Sequence, residues 1–347
     1  MIRVGWPGLG ASALDGGMHA IEVAEVGGPE VLRPVQRPRP SPAAGEVLIE
    51  NAAVGVNFID TYFRSGQYPR ELPFVVGSEA AGTVAEVGAG VSGLHVGDAV
   101  VTASADGAYA QFCTAPADLT AKLPAGLAPD LVASALLKGM TAHYLIHSVY
   151  PVREGDTVLV HAGAGGVGLL LTQWATRLGA RVLTTASTPA KAELSRAAGA
   201  TDVLDYPGSD PTEFAGRVRD LTGGAGVAAV YDGVGAATFE ASLASLAVRG
   251  MLVLFGAASG PVPPFDPQRL NPAGSLVLTR PSLAHFIRTA DEFTWRASAF
   301  LDAVAAGELT VTVSERYPLD RAEQAHRDLA GRATVGSVIL VPGADPL

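Results

Sequence analysis

Residues 157–168 read TVLVHAGAGGVG, and how the rest of the chain is read follows from them. The run Asp156–His161 has the apolar, β-branched content of a buried strand, and Val167–Leu178 carries apolar residues at helical spacing. Between the two, Gly163, Gly165 and Gly168 satisfy the pattern G-x-G-x-x-G. Placed after a strand and before a helix, the first glycine permits a tight turn and the second lets backbone approach a pyrophosphate. The third lets the helix pack closely on the strand, and the helix N-terminus offers unpaired N–H groups and positive potential. A chain with 41 glycines produces such spacings by chance. The position between strand and helix is what points to a dinucleotide-binding unit rather than a glycine-rich turn.

Working outward from that stretch, the same alternation continues. Ala180–Thr185, Asp202–Leu204, Val227–Tyr231 and Met251–Phe255 read as strands; Pro189–Ala198, Thr212–Leu221 and Phe239–Leu246 read as helices. Strands and helices at this pace imply right-handed βαβ units on a parallel sheet. Toward the N-terminus, Ser134–Ser148 has helical spacing, and residues 18–135 are β-rich, with strands over Ala20–Val26, Glu46–Val56 and Gly82–Val87. Toward the C-terminus, Ala284–Ala306 and Arg321–Gly331 are helical, and Gly336–Val341 is an apolar strand expected to return to the first domain. The expected fold is α/β. A discontinuous β-rich domain takes residues 18–138 and 283–347, and a doubly wound parallel-sheet domain takes residues 139–282. Residues 1–17 lack a basic cluster followed by an apolar core, so they are expected to be a flexible extension rather than a signal peptide.

Composition narrows the function. At 347 residues, the chain has the length of about two domains. With 48% apolar and 17% charged residues it can bury large cores. A net charge of −10 without a Lys/Arg tract is a poor match to nucleic acid. The single cysteine, Cys113, excludes intramolecular disulfides and Cys-rich metal sites. Thr157–Thr176 is uncharged and long enough to span a bilayer, but it holds four glycines and His161 and reads as strand, turn and helix. A cytoplasmic protein with no membrane segment is expected.

The second strand of the unit selects the dinucleotide. NAD sites place Asp or Glu at its end to bind the ribose hydroxyls. Here Arg181–Thr185 is followed by Ala186, Ser187 and Thr188, with Lys191 one helical turn on and no carboxylate. Hydroxyl donors and a cation suit a 2′-phosphate, so the expected cofactor is NADPH (NADP+).

Four segments, GVNFIDTYFRSGQYP (55–69), GSEAAGTVAEVG (77–88), LLKGMTAHYL (136–145) and HAGAGGVG (161–168), resemble the quinone oxidoreductase branch of the medium-chain dehydrogenase/reductase superfamily. VYDGVG (230–235), FGAASG (255–260), TRPSL (279–283) and GRATVGS (331–337) extend the resemblance to nearly the whole of residues 18–342. It implies a GroES-like catalytic domain beside a Rossmann nucleotide-binding domain, and a homodimer, for which the strand around Met251–Phe255 and the segment after it are the expected edge-pairing site. Zinc-dependent relatives ligate their metal where this chain has Asn57 and Ser78, and a lone Cys113 cannot supply a tetrahedral site, so no metal is expected.

Without a Lewis acid, hydride transfer favours a conjugated acceptor whose oxyanion can be hydrogen-bonded. The resemblance implies that Asn57, Asp60, Tyr62 and Tyr68 serve the substrate side, the tyrosines as polar-tipped walls and Asp60 as an orienting group. By the same resemblance Thr141, Tyr144, Phe255, Gly256 and Ser259 serve the nicotinamide half, with Arg280, Pro281 and Ser282 at its rim. Gly166 and Val167 serve the pyrophosphate. Ser187, Thr188, Lys191 and Tyr206 surround the 2′-phosphate, and Arg332 returns as a charged clasp. Lys138 has a place in the pattern without an assigned role. The expected activity is NADPH-dependent reduction of a quinone. The alternatives are reduction of an enoyl or alkenal double bond, and a non-catalytic dinucleotide- or RNA-binding role.

Overall fold

The computed structural model describes residues 17–343, so the expected extension lies, apart from Gly17, outside the described residues. In chain order the elements are β1 (Gly17–Val23), β2 (Leu32–Pro38), β3 (Glu46–Val56), α1 (Phe58–Arg64), β4 (Phe74–Val75), β5 (Ala80–Val87), β6 (Ala99–Thr102), β7 (Phe112–Pro116), β8 (Thr120–Lys122) and α2 (Pro129–Ala133). Then come α3 (Leu136–Tyr144), β9 (Thr157–Val160), α4 (Gly166–Arg177), β10 (Arg181–Thr185), α5 (Pro189–Ala197), β11 (Asp202–Leu204), α6 (Pro211–Leu221), β12 (Val227–Asp232), α7 (Phe239–Ala244), β13 (Leu246–Leu254), β14 (Val277–Thr279) and α8 (Ala290–Ala305). The chain ends with β15 (Val313–Pro318), α9 (Ala322–Ala330) and β16 (Ser337–Val341).

Two compact units result. The first holds the described residues through Ser134, Glu315–Ala333 and the described residues from Val338 on; the second holds Ala135–Ser314 and Thr334–Ser337. In the first unit, β1 pairs antiparallel with β2 and β4. A larger sheet runs β15-β16-β3-β5-β6-β8, with β7 also paired to β3. β3 is central, and Val47, Ile49, Val54 and Val56 on it pack with Val84, Val100, Tyr109 and Leu340 in one apolar cluster. This is the expected GroES-like domain, and its closing strand β16 pairs with β3 through Val338, Ile339 and Leu340.

The second unit is the expected Rossmann domain, a parallel sheet in the order β11-β10-β9-β12-β13-β14. Strand order reverses between β9 and β12, the switch point at which open α/β sheets accept ligands beyond their carboxyl ends. Leu159, Leu183, Phe214, Val230 and Leu252 form its core.

Several boundaries differ from expectation for local reasons. β1 begins at Gly17 and stops at Val23, where its pairing with Leu32 ends; Val26 is exposed. α8 starts at Ala290 rather than Ala284, because Thr289 caps it by accepting the Glu292 N–H. β13 begins at Leu246, which pairs with Val227 across a bulge. It is flanked by β12 and β14, so Met251–Phe255 cannot be a pairing edge, and β14 is the edge on that side. Residues 135–138 and 283–314 belong to the second unit rather than the first, since α8 packs along α3.

That packing relies on Gly139. A Cβ there would come within 2.6 Å of Cε2 of the fully buried Phe300 ring, and nearer still to other ring atoms. Gly139→Ala should therefore destabilise the protein by about 1–3 kcal/mol through overpacking. Adding Phe300→Leu, which vacates part of that space, should recover some of the loss. Thermal melting of both variants checks this; strict additivity of the two changes would contradict it.

Candidate functional site

In the second unit, β9 leads into a turn built from backbone. The His161 N–H donates to Tyr231 O at 3.0 Å and the Gly163 N–H to Thr185 O at 2.9 Å, which ties the turn to both neighbouring strands. The left-handed residue is Ala162, with φ 55°, rather than Gly163. Gly163 is required by space instead: a Cβ there would lie 2.5 Å from Ser195 Oγ and 2.6 Å from Thr184 Cβ. At Gly168 a Cβ would run into Ala162 O and lie 3.0 Å from Gly163 Cα, so α4 sits directly on the turn, as expected of the third glycine. At Gly165 the nearest atom to a Cβ is Ala162 O, at 3.2 Å, leaving that backbone face open to a ligand. The first turn of α4 closes with the Leu169 N–H on Gly165 O at 2.9 Å, so the N–H groups of Gly166, Val167 and Gly168 precede the helical ladder. The residues present thus fit a pyrophosphate.

The segment before β16 buttresses this turn, which nothing in the spacing of the sequence signalled. Gly336 forms a parallel bridge to Gly165, and its N–H donates to Ala164 O at 2.9 Å. Lys138 lays its aliphatic chain against Gly166, where a Cβ would be 2.5 Å from Cδ.

At the end of β10, Ser187 and Thr188 are exposed, and Thr188 caps α5 by accepting the Lys191 N–H at 3.3 Å. Parallel pairing of Thr185 with Leu204 sets Tyr206, two residues on, at the same edge as Ser187. The Tyr206 ring lies 6.4 Å from that of His161 at 17°. After β13, the Phe255 N–H donates to Asp232 O at 2.9 Å, and Phe255 and Gly256 abut Gly233. The Ser259 hydroxyl donates to Val234 O at 2.8 Å and accepts the Ala237 N–H at 3.0 Å, so it closes its own loop. Thr141 and Tyr144 are buried on α3, and the Tyr144 ring stacks on Phe286 at 4.5 Å. Arg280, Pro281 and Ser282 directly follow β14.

In the first unit, Asn57 caps α1. Its backbone N–H donates to Asp60 Oδ2 at 2.8 Å, and its side-chain amide donates to Glu79 Oε2 at 2.8 Å. Asp60 also accepts from the Tyr109 hydroxyl at 3.0 Å; that hydroxyl lies 2.9 Å from His326 Nε2, and Arg64 Nη1 donates to His326 Nδ1 at 3.0 Å. All six of these side chains are buried. Burial pushes the Tyr109 phenol well above its ordinary pKa, reinforced by Asp60, and holds His326 down to about 3, reinforced by Arg64. Because Arg64 can only donate, His326 Nδ1 accepts, and the proton on the neutral ring sits on Nε2 facing Tyr109. Tyr62 and Tyr68 meet edge to face at 5.3 Å, with the Tyr68 N–H on Tyr62 O at 3.0 Å. Arg332 is exposed just past α9, in a left-handed conformation at φ 58°.

Sequence reasoning missed Arg64, Tyr109 and His326. Tyr109 and His326 stand 217 positions apart and carry no local pattern. The donor set does not fit zinc. Asn57 is engaged with Glu79, and the buried Cys113 thiol donates to Asn51 Oδ1 at 3.2 Å, its pKa raised by burial to about 12. No group of three or more His, Cys, Asp or Glu among the described residues could hold a metal ion. No helix among them is long and apolar enough to cross a membrane.

Two family models match the chain: an alcohol dehydrogenase GroES-like domain over residues 43–125 and a zinc-binding dehydrogenase over residues 166–303. Quinone oxidoreductase 1 of Escherichia coli is 44% identical over 326 residues, covering 93% of this chain and 99% of the relative. A 2-haloacrylate reductase of a Burkholderia species is 44% identical over 312 residues, covering 88% and 93%. A mycobacterial protein solved in complex with NADPH is 68% identical, with a TM-score of 0.92 over 94% of this chain and 100% of that one. The Escherichia coli quinone oxidoreductase complexed with NADPH superposes with a TM-score of 0.90 at 44% identity, covering 93% of this chain and 100% of that one.

The buried His326 sets a pH dependence. Its folded pKa of about 3 lies below the ordinary histidine value near 6.5. As pH falls below about 6.5 the unfolded chain takes up a proton that the folded one refuses, so stability is full above that pH and declines toward pH 3. The slope is up to about 1.4 kcal/mol per pH unit. His326→Gln, which keeps an acceptor and a donor but does not titrate, should lose less stability between pH 7 and pH 4 in urea unfolding. Parallel stability curves for variant and wild type would contradict the assignment.

Proposed function

Since the chain belongs to the quinone oxidoreductase branch of the medium-chain dehydrogenase/reductase superfamily, we propose that it is a cytoplasmic, metal-independent NADPH:quinone reductase. The observation that carries the cofactor choice is the end of β10. There Thr185 is followed by Ala186, Ser187 and Thr188, with Lys191 in the first turn of α5 and no carboxylate among them. Two hydroxyls and an ammonium suit a dianionic 2′-phosphate, where a carboxylate would repel it.

When bound, NADPH supplies a hydride. The chain's own groups do the rest. The N–H groups that open α4 receive the pyrophosphate, Gly165 leaves room for it, and Gly163 and Gly168 let the turn and helix close tightly beside it. Ser187, Thr188, Lys191 and Tyr206 enclose the 2′-phosphate. Thr141, Tyr144, Phe255 and Gly256 shape the nicotinamide half, with Arg280, Pro281 and Ser282 at its rim. Arg332 acts as a clasp, and Ser259 holds the loop after β13 in shape. On the substrate side, Tyr62 and Tyr68 present aromatic faces to a planar acceptor and phenol donors to the oxygen on which negative charge develops. Asp60 and Asn57 orient the start of α1, on which Tyr62 rides. A hydrogen-bonded oxyanion takes the place of a Lewis acid, in keeping with Asn57 and Ser78 where zinc-dependent relatives have ligands.

The similarity to a 2-haloacrylate reductase supports a second reading, reduction of a conjugated carbon–carbon double bond. Side-by-side oxidation of NADPH by 1,2-naphthoquinone and by 2-chloroacrylate separates the two. We expect the quinone to be the faster substrate; exclusive turnover of the acrylate would favour the second reading. The short edge strand β14, where Val277 is exposed, supports a homodimer formed by edge pairing of two copies. Light scattering should then report twice the chain mass.

Lys191→Ala should raise the Michaelis constant for NADPH about 10- to 100-fold, the loss of one charge-assisted phosphate contact of about 1.5–3 kcal/mol. The constant for NADH should move less than about twofold. Equal effects on the two cofactors would contradict the 2′-phosphate assignment.

A further inference from the structure

One buried hydrogen-bond chain in the second unit has no part in the reaction as proposed. The Ala162 N–H donates to Thr185 Oγ1 at 3.1 Å, and Thr185 Oγ1 lies 3.1 Å from His161 Nδ1. His161 Nε2 lies 3.0 Å from Ser242 Oγ, which donates to Asp232 Oδ2 at 2.7 Å. Thr185, His161, Ser242 and Asp232 are all buried. Asp232 also accepts the N–H groups of Val234 and Gly235 at 2.8 and 3.0 Å and the Thr238 hydroxyl at 2.8 Å, so the far end of the chain is anchored in the turn after β12.

The direction of every bond follows from that anchor. The carboxylate accepts, so the single Ser242 proton is committed to it, and Ser242 Oγ is left to accept from His161 Nε2–H. Burial favours the uncharged ring. Nδ1 of a neutral ring protonated on Nε2 is an acceptor, so the Thr185 hydroxyl donates to it and keeps its lone pairs for the Ala162 N–H. Each proton has one place.

The chain ends on the residue that most needs support. Ala162 is left-handed at φ 55°, a conformation that an alanine adopts only when its surroundings impose it. Its carbonyl oxygen accepts the Gly165 N–H at 2.9 Å and abuts Gly168, so rotation at Ala162 would swing the backbone that leads into α4.

We propose that Thr185 and His161 are positioning residues for the dinucleotide, holding Ala162 left-handed and thereby aiming the backbone of Gly165–Gly168 at the pyrophosphate. This rests on the reading of that turn as the NADPH site.

The test uses the full chain with Thr185→Val, which is nearly isosteric but lacks the hydroxyl, and Thr185→Ser, which restores it. Two readouts are taken. Amide hydrogen exchange over residues 162–168 in the ligand-free protein reports whether the turn is held, and fluorescence titration with NADPH reports the consequence. For Thr185→Val we expect exchange faster by about tenfold and a Kd for NADPH raised by about tenfold, the loss of one buried hydrogen bond. Thr185→Ser should stay within about threefold of wild type on both, and kcat at saturating NADPH should fall far less than affinity. Unchanged exchange in Thr185→Val overturns the proposal whatever the titration shows. Faster exchange with unchanged Kd overturns the positioning role. A Thr185→Ser variant as weak as Thr185→Val overturns the hydroxyl's part in it. Wild-type protein that binds no NADPH overturns the functional reading instead, while the exchange measurement still decides whether Thr185 holds the turn.

Discussion

Between β9 and α4 the backbone closes on itself, with no space for a side chain at Gly163 or Gly168. Gly168 lies against Ala162 O and Gly163 Cα, and Gly163 lies against Thr184 and Ser195. This close approach brings the N-terminus of a twelve-residue helix to the carboxyl end of a parallel sheet at the point where strand order reverses. Peptide groups there have an open face and unpaired donors, which is what an anionic diphosphate requires. The end of β10 and the loop after β13 lie around that turn, on strands whose register brings their ends to one edge.

Each unit ties one backbone segment down with a buried polar chain as well as with apolar packing. In the first, Arg64, His326, Tyr109 and Asp60 run to the cap of α1. In the second, Asp232, Ser242, His161 and Thr185 run to Ala162. Both chains include a histidine whose pKa burial lowers, so that it stays neutral with one nitrogen donating and the other accepting. A neutral imidazole can join a donor to an acceptor across a core without bringing in an unpaired charge, whereas a lysine or carboxylate in its place would need a counter-ion. The positions that must not move are therefore fixed by directional bonds, which tolerate less displacement than hydrophobic contacts do.

Much of this was legible in the order of residues. The alternation after residue 156, the glycine spacing and the missing acid after Thr185 are local patterns, and each describes the structure at its own position. The GroES-like and Rossmann domains follow from them together with the quoted segments. What could not be read is long-range. α8 has the periodicity of any amphipathic helix, and only its packing on α3 places it in the second unit. Gly336 reads as the first residue of the closing strand, yet it bridges to Gly165. Tyr109 and His326 had no motif to mark them. Met251–Phe255 looked like an edge because the short strand β14, three residues after a proline-rich loop, is nearly invisible to pattern. Ala162 shows the same limit on a smaller scale. The left-handed residue of the turn is an alanine beside a glycine, and the hydrogen bond from its N–H to Thr185 Oγ1 is not visible in the sequence.

The central claim is that this backbone turn and the hydroxyl-lined end of β10 together hold a phosphorylated nicotinamide nucleotide. Isothermal titration of the purified protein with NADPH and, separately, NADH tests it most directly. The account predicts one NADPH per chain, bound at least about tenfold more tightly than NADH, the difference of roughly 1.4 kcal/mol that a single phosphate contact supplies. Equal affinity for the two nucleotides, or no heat with either, would contradict it.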